Sequence, residues 1–181
     1  MGDWPPRALV GGILKVAGVL GIILGLGIVL DRLLPPLPLP PETLTVSGLA
    51  LIAIGISLEA YSTLTFVASG KGTPNPLNPP ERLVRQGPYA YSRNPLYVAR
   101  LSILSGAAAA LQSYGIVLMT LLLFLGIEFI LLPREEKRLM ARFGEAYREY
   151  YRRTPRWLLL RSRRQRSEQM SPRSLGKTPQ R

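Results

Sequence analysis

Residues Gly87–Arg100 read GPYAYSRNPLYVAR and lead directly into LSILSGAAAAL, Leu101–Leu111. Three tyrosines, two arginines and two prolines stand at the mouth of an apolar segment. Asn94 suits a helix N-cap and Pro95 the first helical turn, so the spacing predicts that a helix starts there. On that helix Tyr97 and Arg100 share a face at i, i+3 spacing, and Arg93 lies just outside it. An interfacial anchor of aromatic and basic residues is the plain structural reading of such a cluster.

The apolar residues of the rest of the chain are equally concentrated. The 181 residues carry a formal charge of +12 and a mean hydropathy of +0.15, too apolar for an ordinary small soluble domain. Ala8–Leu30 contains Lys15 as its one charge, Leu44–Ala68 contains Glu59, Leu96–Leu111 contains Arg100, and Ile116–Leu132 contains Glu128. A bilayer core asks for roughly 20 apolar residues. The expected fold is therefore all-α: a polytopic membrane bundle of four transmembrane helices, the last two short, followed by a C-terminal amphipathic interfacial helix. For that final helix Leu139, Phe143, Tyr147 and Tyr150 recur at spacings of 4, 4 and 3. The first segment is too long for a signal-peptide core and no small-residue cleavage site follows it, so it stays as a helix.

Smaller features are read alongside. Gly21 and Gly25 form a GxxxG pair that predicts close approach of another helix. The GLG beside them follows no strand and is not a nucleotide loop. Pro35–Pro41 is an extended connector, and Ser69–Pro80 an irregular loop. Pro133 is taken as the point where the fourth membrane helix gives way to the interfacial one. The domain reading is 1–161 for the membrane unit, with a motif-bearing core at 78–157, and 162–181 for a basic disordered tail.

Charge placement orients the bundle. Lys71, Arg82, Arg85 and Arg93 face only Glu81 in the second connection, and fifteen Lys or Arg face five Glu after Leu132. The positive-inside rule then puts both termini and the second connection on the cytoplasmic side. The basic C-terminal region is matched to anionic membrane lipid. No nucleic-acid-binding motif accompanies the basicity, so nucleic acid is not a partner. Glu59, Arg100 and Glu128 are costly at membrane depth without partners, and Arg100 is expected to pair with Glu128 or Glu59.

Two motifs in this order resemble the isoprenylcysteine carboxyl methyltransferase and phospholipid methyltransferase family of integral membrane enzymes. The first family pattern is GPYxxxRHPxY, here Gly87, Pro88, Tyr89, Arg93, Asn94, Pro95 and Tyr97. The second is EExxLxxxFGxxYxxYxxxxPR, here Glu135, Glu136, Leu139, Phe143, Gly144, Tyr147, Tyr150, Pro155 and Arg156. The resemblance covers roughly Asn78–Trp157. It implies S-adenosylmethionine as cofactor and a lipophilic methyl acceptor. It also implies a cofactor pocket lined by Gln86, Gly87, Tyr89, Arg93, Asn94, Pro95, Tyr97 and Glu135, with Arg93, Glu136 and Arg100 as catalytic residues and no metal. The family's histidine is Asn94 here, an amide that hydrogen-bonds but carries no proton at neutral pH.

The chain has no histidine and no cysteine. Methyl transfer from a sulfonium needs alignment more than acid or base groups. A carboxylate acceptor arrives ready to react, whereas an amine must lose a proton to Glu128, Glu59 or a shifted tyrosine. The reading therefore favours a carboxyl methyltransferase, with a phospholipid amine methyltransferase, a nicotinamide-dependent membrane reductase and a non-enzymatic basic-tailed anchor as alternatives.

Overall fold

A computed structural model describes residues 6–35, 41–70 and 81–157. Most of the Pro35–Pro41 connector, most of the Ser69–Pro80 loop and the whole 162–181 tail lie outside the described residues. The fold is all-helical. Helix α1 spans Pro6–Leu30, α2 Pro41–Gly70, α3 Pro95–Ala110, α4 Tyr114–Gly126, α5 Leu132–Phe143 and α6 Glu145–Arg153. A 3₁₀ turn at Gly87–Ala90 precedes α3, and a π-helical turn at Ile127–Leu131 joins α4 to α5.

Three helical stretches are long and apolar enough to cross a membrane: Val10–Leu30, Glu42–Gly70 and Tyr114–Phe143. The outward faces carry large apolar side chains, among them Ile22, Leu64 and Phe129, each more than 60% exposed. Such a belt suits lipid as the outer solvent. At 16 residues α3 is about 24 Å long, shorter than a bilayer core.

The fourth segment departs from the sequence reading. Rather than ending near Pro133, it continues as one rod through α4, the π turn and α5. Proline lacks an N–H and its ring crowds the carbonyl four residues back. The π turn changes the hydrogen-bond register just ahead of it, with the Leu132 N–H reaching the Ile127 carbonyl, and so accommodates the ring. The chain breaks instead at Gly144, whose φ of +53° is natural for glycine. The expected single interfacial helix is accordingly two pieces, α5 and α6.

Close helix approach also falls elsewhere than expected. Gly21 and Gly25 face open space. On α1 it is Gly27 that meets α4, where an added Cβ would lie 2.7 Å from Ile116. Asp31 Oδ1 there accepts the Gly115 N–H at 2.7 Å, a carboxylate at a helix N-terminus. The tightest seam joins α2 to α3: Gly48 backs onto Gly106 and Ala110, and Gly55 onto Ala99 and Ile103. Small residues let these two backbones nearly touch, which brings the polar residues at the start of α3 against the end of α2. The short turn Leu111–Ser113 folds α4 back beside α3, so the end of α4 returns to the level of Pro95.

Candidate functional site

The two motifs meet. The Tyr97 hydroxyl on α3 donates to Glu135 Oε1 on α5 at 2.8 Å. Arg93, ahead of α3, places Nη1 2.9 Å from Glu136 Oε1, with both side chains nearly buried. The contact is off the hydrogen-bond axis, and Arg93 Nε and Nη1 have no hydrogen-bond partner among the described residues. The guanidinium lies 3.8 Å over the Tyr151 ring, a cation–π contact supplied by α6.

A strap at Thr154–Trp157 crosses back over the start of α3. The Arg93 N–H donates to the Pro155 carbonyl at 2.9 Å, while Ser92 Oγ and Asn94 Nδ2 both donate to the Arg156 carbonyl at 3.1 Å. Asn94 thus occupies the N-cap position without capping α3 through its side chain. Its amide is committed to the strap, a bond for which a fixed N–H is sufficient.

Arg156 ties the strap to the long helix. It meets Glu136 in bidentate fashion, Nε to Oε1 at 3.2 Å and Nη2 to Oε2 at 2.7 Å, and reaches Glu128 Oε1 with Nη1 at 2.5 Å. The hydrogen bond to Glu136 is the main force holding its guanidinium charged. Trp157 Nε1 takes the other Glu128 oxygen at 2.9 Å, and its ring packs on Phe124 at 5.3 Å. Arg93, Glu136, Arg156 and Glu128 therefore form one continuous network that balances in charge.

Arg100 belongs to a second cluster. Its partner is Glu59 on α2, with Nε at 3.2 Å and Nη2 at 2.9 Å from Oε1. Of the two partners anticipated for Arg100, Glu128 is taken by Arg156.

Gly87 holds φ +60°, and a Cβ there would sit 3.0 Å from the Thr65 hydroxyl, so both conformation and space require glycine. Tyr89 is buried beside Phe66, its carbonyl accepts the Tyr150 hydroxyl at 2.7 Å, and burial is the first cause pushing both phenols well above their ordinary range. Pro95 is fully buried at the first turn of α3. Gln86 is exposed at the rim, where its amide donates to Ser69 on α2.

Ser92, Tyr151, Glu128, Arg156 and Trp157 complete this cluster beyond the site residues read from the sequence. Arg156 closes the second motif and Glu128 lies at membrane depth, so those two carried a signal. Ser92 and Tyr151 carried none. Beside the strap an apolar groove of about 350 Å³ runs between α2, α3 and α4, lined by Leu51, Val98, Leu101, Ser102, Phe124 and Trp157 among others.

A family model for phospholipid methyltransferase matches residues 43–146, more than half of the chain. The chain belongs to this family of membrane methyltransferases. The match takes in α2 as well as the two motifs, so the family's shared part begins upstream of the motif-bearing core. No curated protein and no solved structure matches the chain.

Proposed function

We propose that the chain is an S-adenosylmethionine-dependent methyltransferase acting on a lipophilic acceptor, with its site at the end of the bundle where α3 begins and α5 follows the π turn. The observation that carries this is Arg93: a guanidinium 7% exposed, with two N–H-bearing nitrogens unpaired, set between the two family motifs. A buried cation with unspent donors fits an anionic group such as an amino-acid carboxylate. Gly87 lets the backbone of the 3₁₀ turn come close, and Tyr89, Tyr97 and Tyr151 supply aromatic faces beside it. These residues fit the cofactor, with Gln86, Asn94, Pro95 and Glu135 around them.

When bound, the cofactor supplies an electrophilic methyl on a sulfonium, and the protein's task is alignment and exclusion of water. Glu136 holds Arg93 in place, and Arg156 holds Glu136. Arg100 bears on the site through Tyr97, whose ring centroid is 5.7 Å from it. The apolar groove beside Trp157 offers a place for a hydrocarbon chain. The basic residues of the second connection and of the region after Leu132 support a cytoplasmic site with both termini on that side, and contact with anionic lipid there.

A carboxylate remains the nucleophile that needs no base. The amine reading gains a footing from one observation: Glu128 has both oxygens engaged, but Glu59 keeps Oε2 buried and unpaired. Calorimetry of the purified protein with S-adenosylhomocysteine tests the proposal. Binding is expected, weakened at least about tenfold in Arg93→Ala; no heat with the unaltered protein would overturn it. Labelled methyl transferred to a membrane extract and released by base would mark an ester.

A further inference from the structure

On the α2 side of the site three buried polar atoms have no hydrogen-bond partner among the described residues: Glu59 Oε2, the Ser62 hydroxyl and the Tyr89 hydroxyl. Ser62 is fully buried and Tyr89 is 7% exposed. Glu59 and Ser62 stand one turn apart on α2. One turn further, Phe66 packs its ring 5.9 Å from that of Tyr89. The charges of Glu59 and Arg100 both act on the Tyr89 hydroxyl. All three atoms thus gather in the seam between α2, the 3₁₀ turn and α3. An orphaned buried polar group costs about 1–3 kcal/mol, and native proteins keep few of them without a purpose.

Counting donors and acceptors defines what would satisfy this seam. The free oxygen of ionised Glu59 only accepts, so the occupant must bring an N–H or O–H, while the two hydroxyls adapt to either role. A carboxylate brings no donor and sets a second negative charge beside Glu59. A quaternary ammonium has no hydrogen to give. A protonated amine gains little, because Arg100 already neutralises Glu59 through Oε1 and would repel it. An uncharged primary or secondary amine satisfies Oε2 and keeps its lone pair, which is the form able to accept a methyl group.

We propose that Glu59, Ser62 and Tyr89 form a binding site for the uncharged amine head of a lipophilic acceptor. The proposal rests on the methyl-transfer reading of the adjoining Arg93 cluster, and it departs from the carboxylate preference drawn from the absence of histidine.

The test uses the full chain in detergent micelles. Phosphatidylethanolamine, phosphatidylcholine with the same acyl chains, and a long-chain fatty acid each compete against a fluorescent lipid. The phosphatidylethanolamine is expected to compete about tenfold better than the other two, the worth of about one hydrogen bond to a charged group. Ser62→Ala and Glu59→Gln are each expected to reduce that preference to within about twofold, and Ser62→Ala to leave the melting temperature of the lipid-free protein unchanged or higher. Binding of S-adenosylhomocysteine is measured on the same preparations. Cofactor-analogue binding with no preference among the lipids overturns this proposal alone, whereas no analogue binding by the unaltered protein overturns the methyl-transfer reading. A preference that survives Ser62→Ala, or a lowered melting temperature with the preference intact, assigns the seam to ordered water and also overturns the proposal.

Discussion

The ionic clusters on either side of the start of α3 are built on opposite terms. Toward α5 and the strap, Glu136 and Glu128 spend all four carboxylate oxygens on Arg93, Arg156 and Trp157, and the unspent capacity is donor capacity, on Arg93. Toward α2, Glu59 gives one oxygen to Arg100 and keeps the other, so there the unspent capacity is largely that of an acceptor. One side suits an anion and the other a hydrogen-bond donor. A transfer reaction between two unlike molecules asks for that asymmetry.

The largest effect expected from breaking this contrast is Glu136→Ala. It leaves two arginines facing each other in a nearly dry site, and a broken buried pair typically costs about 3–5 kcal/mol. Chemical unfolding in detergent should show a loss of that size; a loss below about 1 kcal/mol would mean that the network is hydrated and weak. Next comes Arg100→Leu, which strands Glu59 at membrane depth. About 2–3 kcal/mol is expected, with a lower melting temperature that Glu59→Gln in the same chain restores in part. A double variant no better than the single one would show that the two residues do not act as a pair.

Asn94→Ala is expected to cost about 1 kcal/mol, because Ser92 Oγ still satisfies the Arg156 carbonyl. The affinity for S-adenosylhomocysteine should fall with it if the strap carries Arg93 into position, so calorimetry on this variant sharpens the account of the closed side. Smallest is Ser62→Ala: removing a hydroxyl that bonds to nothing should change stability by less than about 0.5 kcal/mol, in either direction. A drop of 2 kcal/mol in unfolding free energy would show that the open side is not open.

The helices were legible in the chain because each is written locally. Ala8–Leu30 and Leu44–Ala68 lie inside α1 and α2, and Pro95 does open α3. The convergence of the two motifs was also legible, through their resemblance to a family of membrane methyltransferases. What sequence missed were features of register. Gly21 and Gly25 satisfy a packing pattern, yet Gly27 makes the contact, since which face of α1 turns inward depends on α4. Pro133 has the chemistry of a helix breaker, but the π turn ahead of it absorbs the missing N–H.

Composition and spacing alone determined that this protein is a bundle of apolar helices with polar clusters at one end, because lipid solvation and backbone hydrogen bonding are decided residue by residue. The pairing of the charges was decided only by the folded chain. Glu59 and Glu128 are alike as isolated carboxylates in apolar helices; the glycine-lined seam of α2 with α3 delivers Arg100 to the first, and the returning strap delivers Arg156 to the second. Contacts across 28 to 41 positions of sequence depend on how backbones approach, and no local pattern encodes that distance.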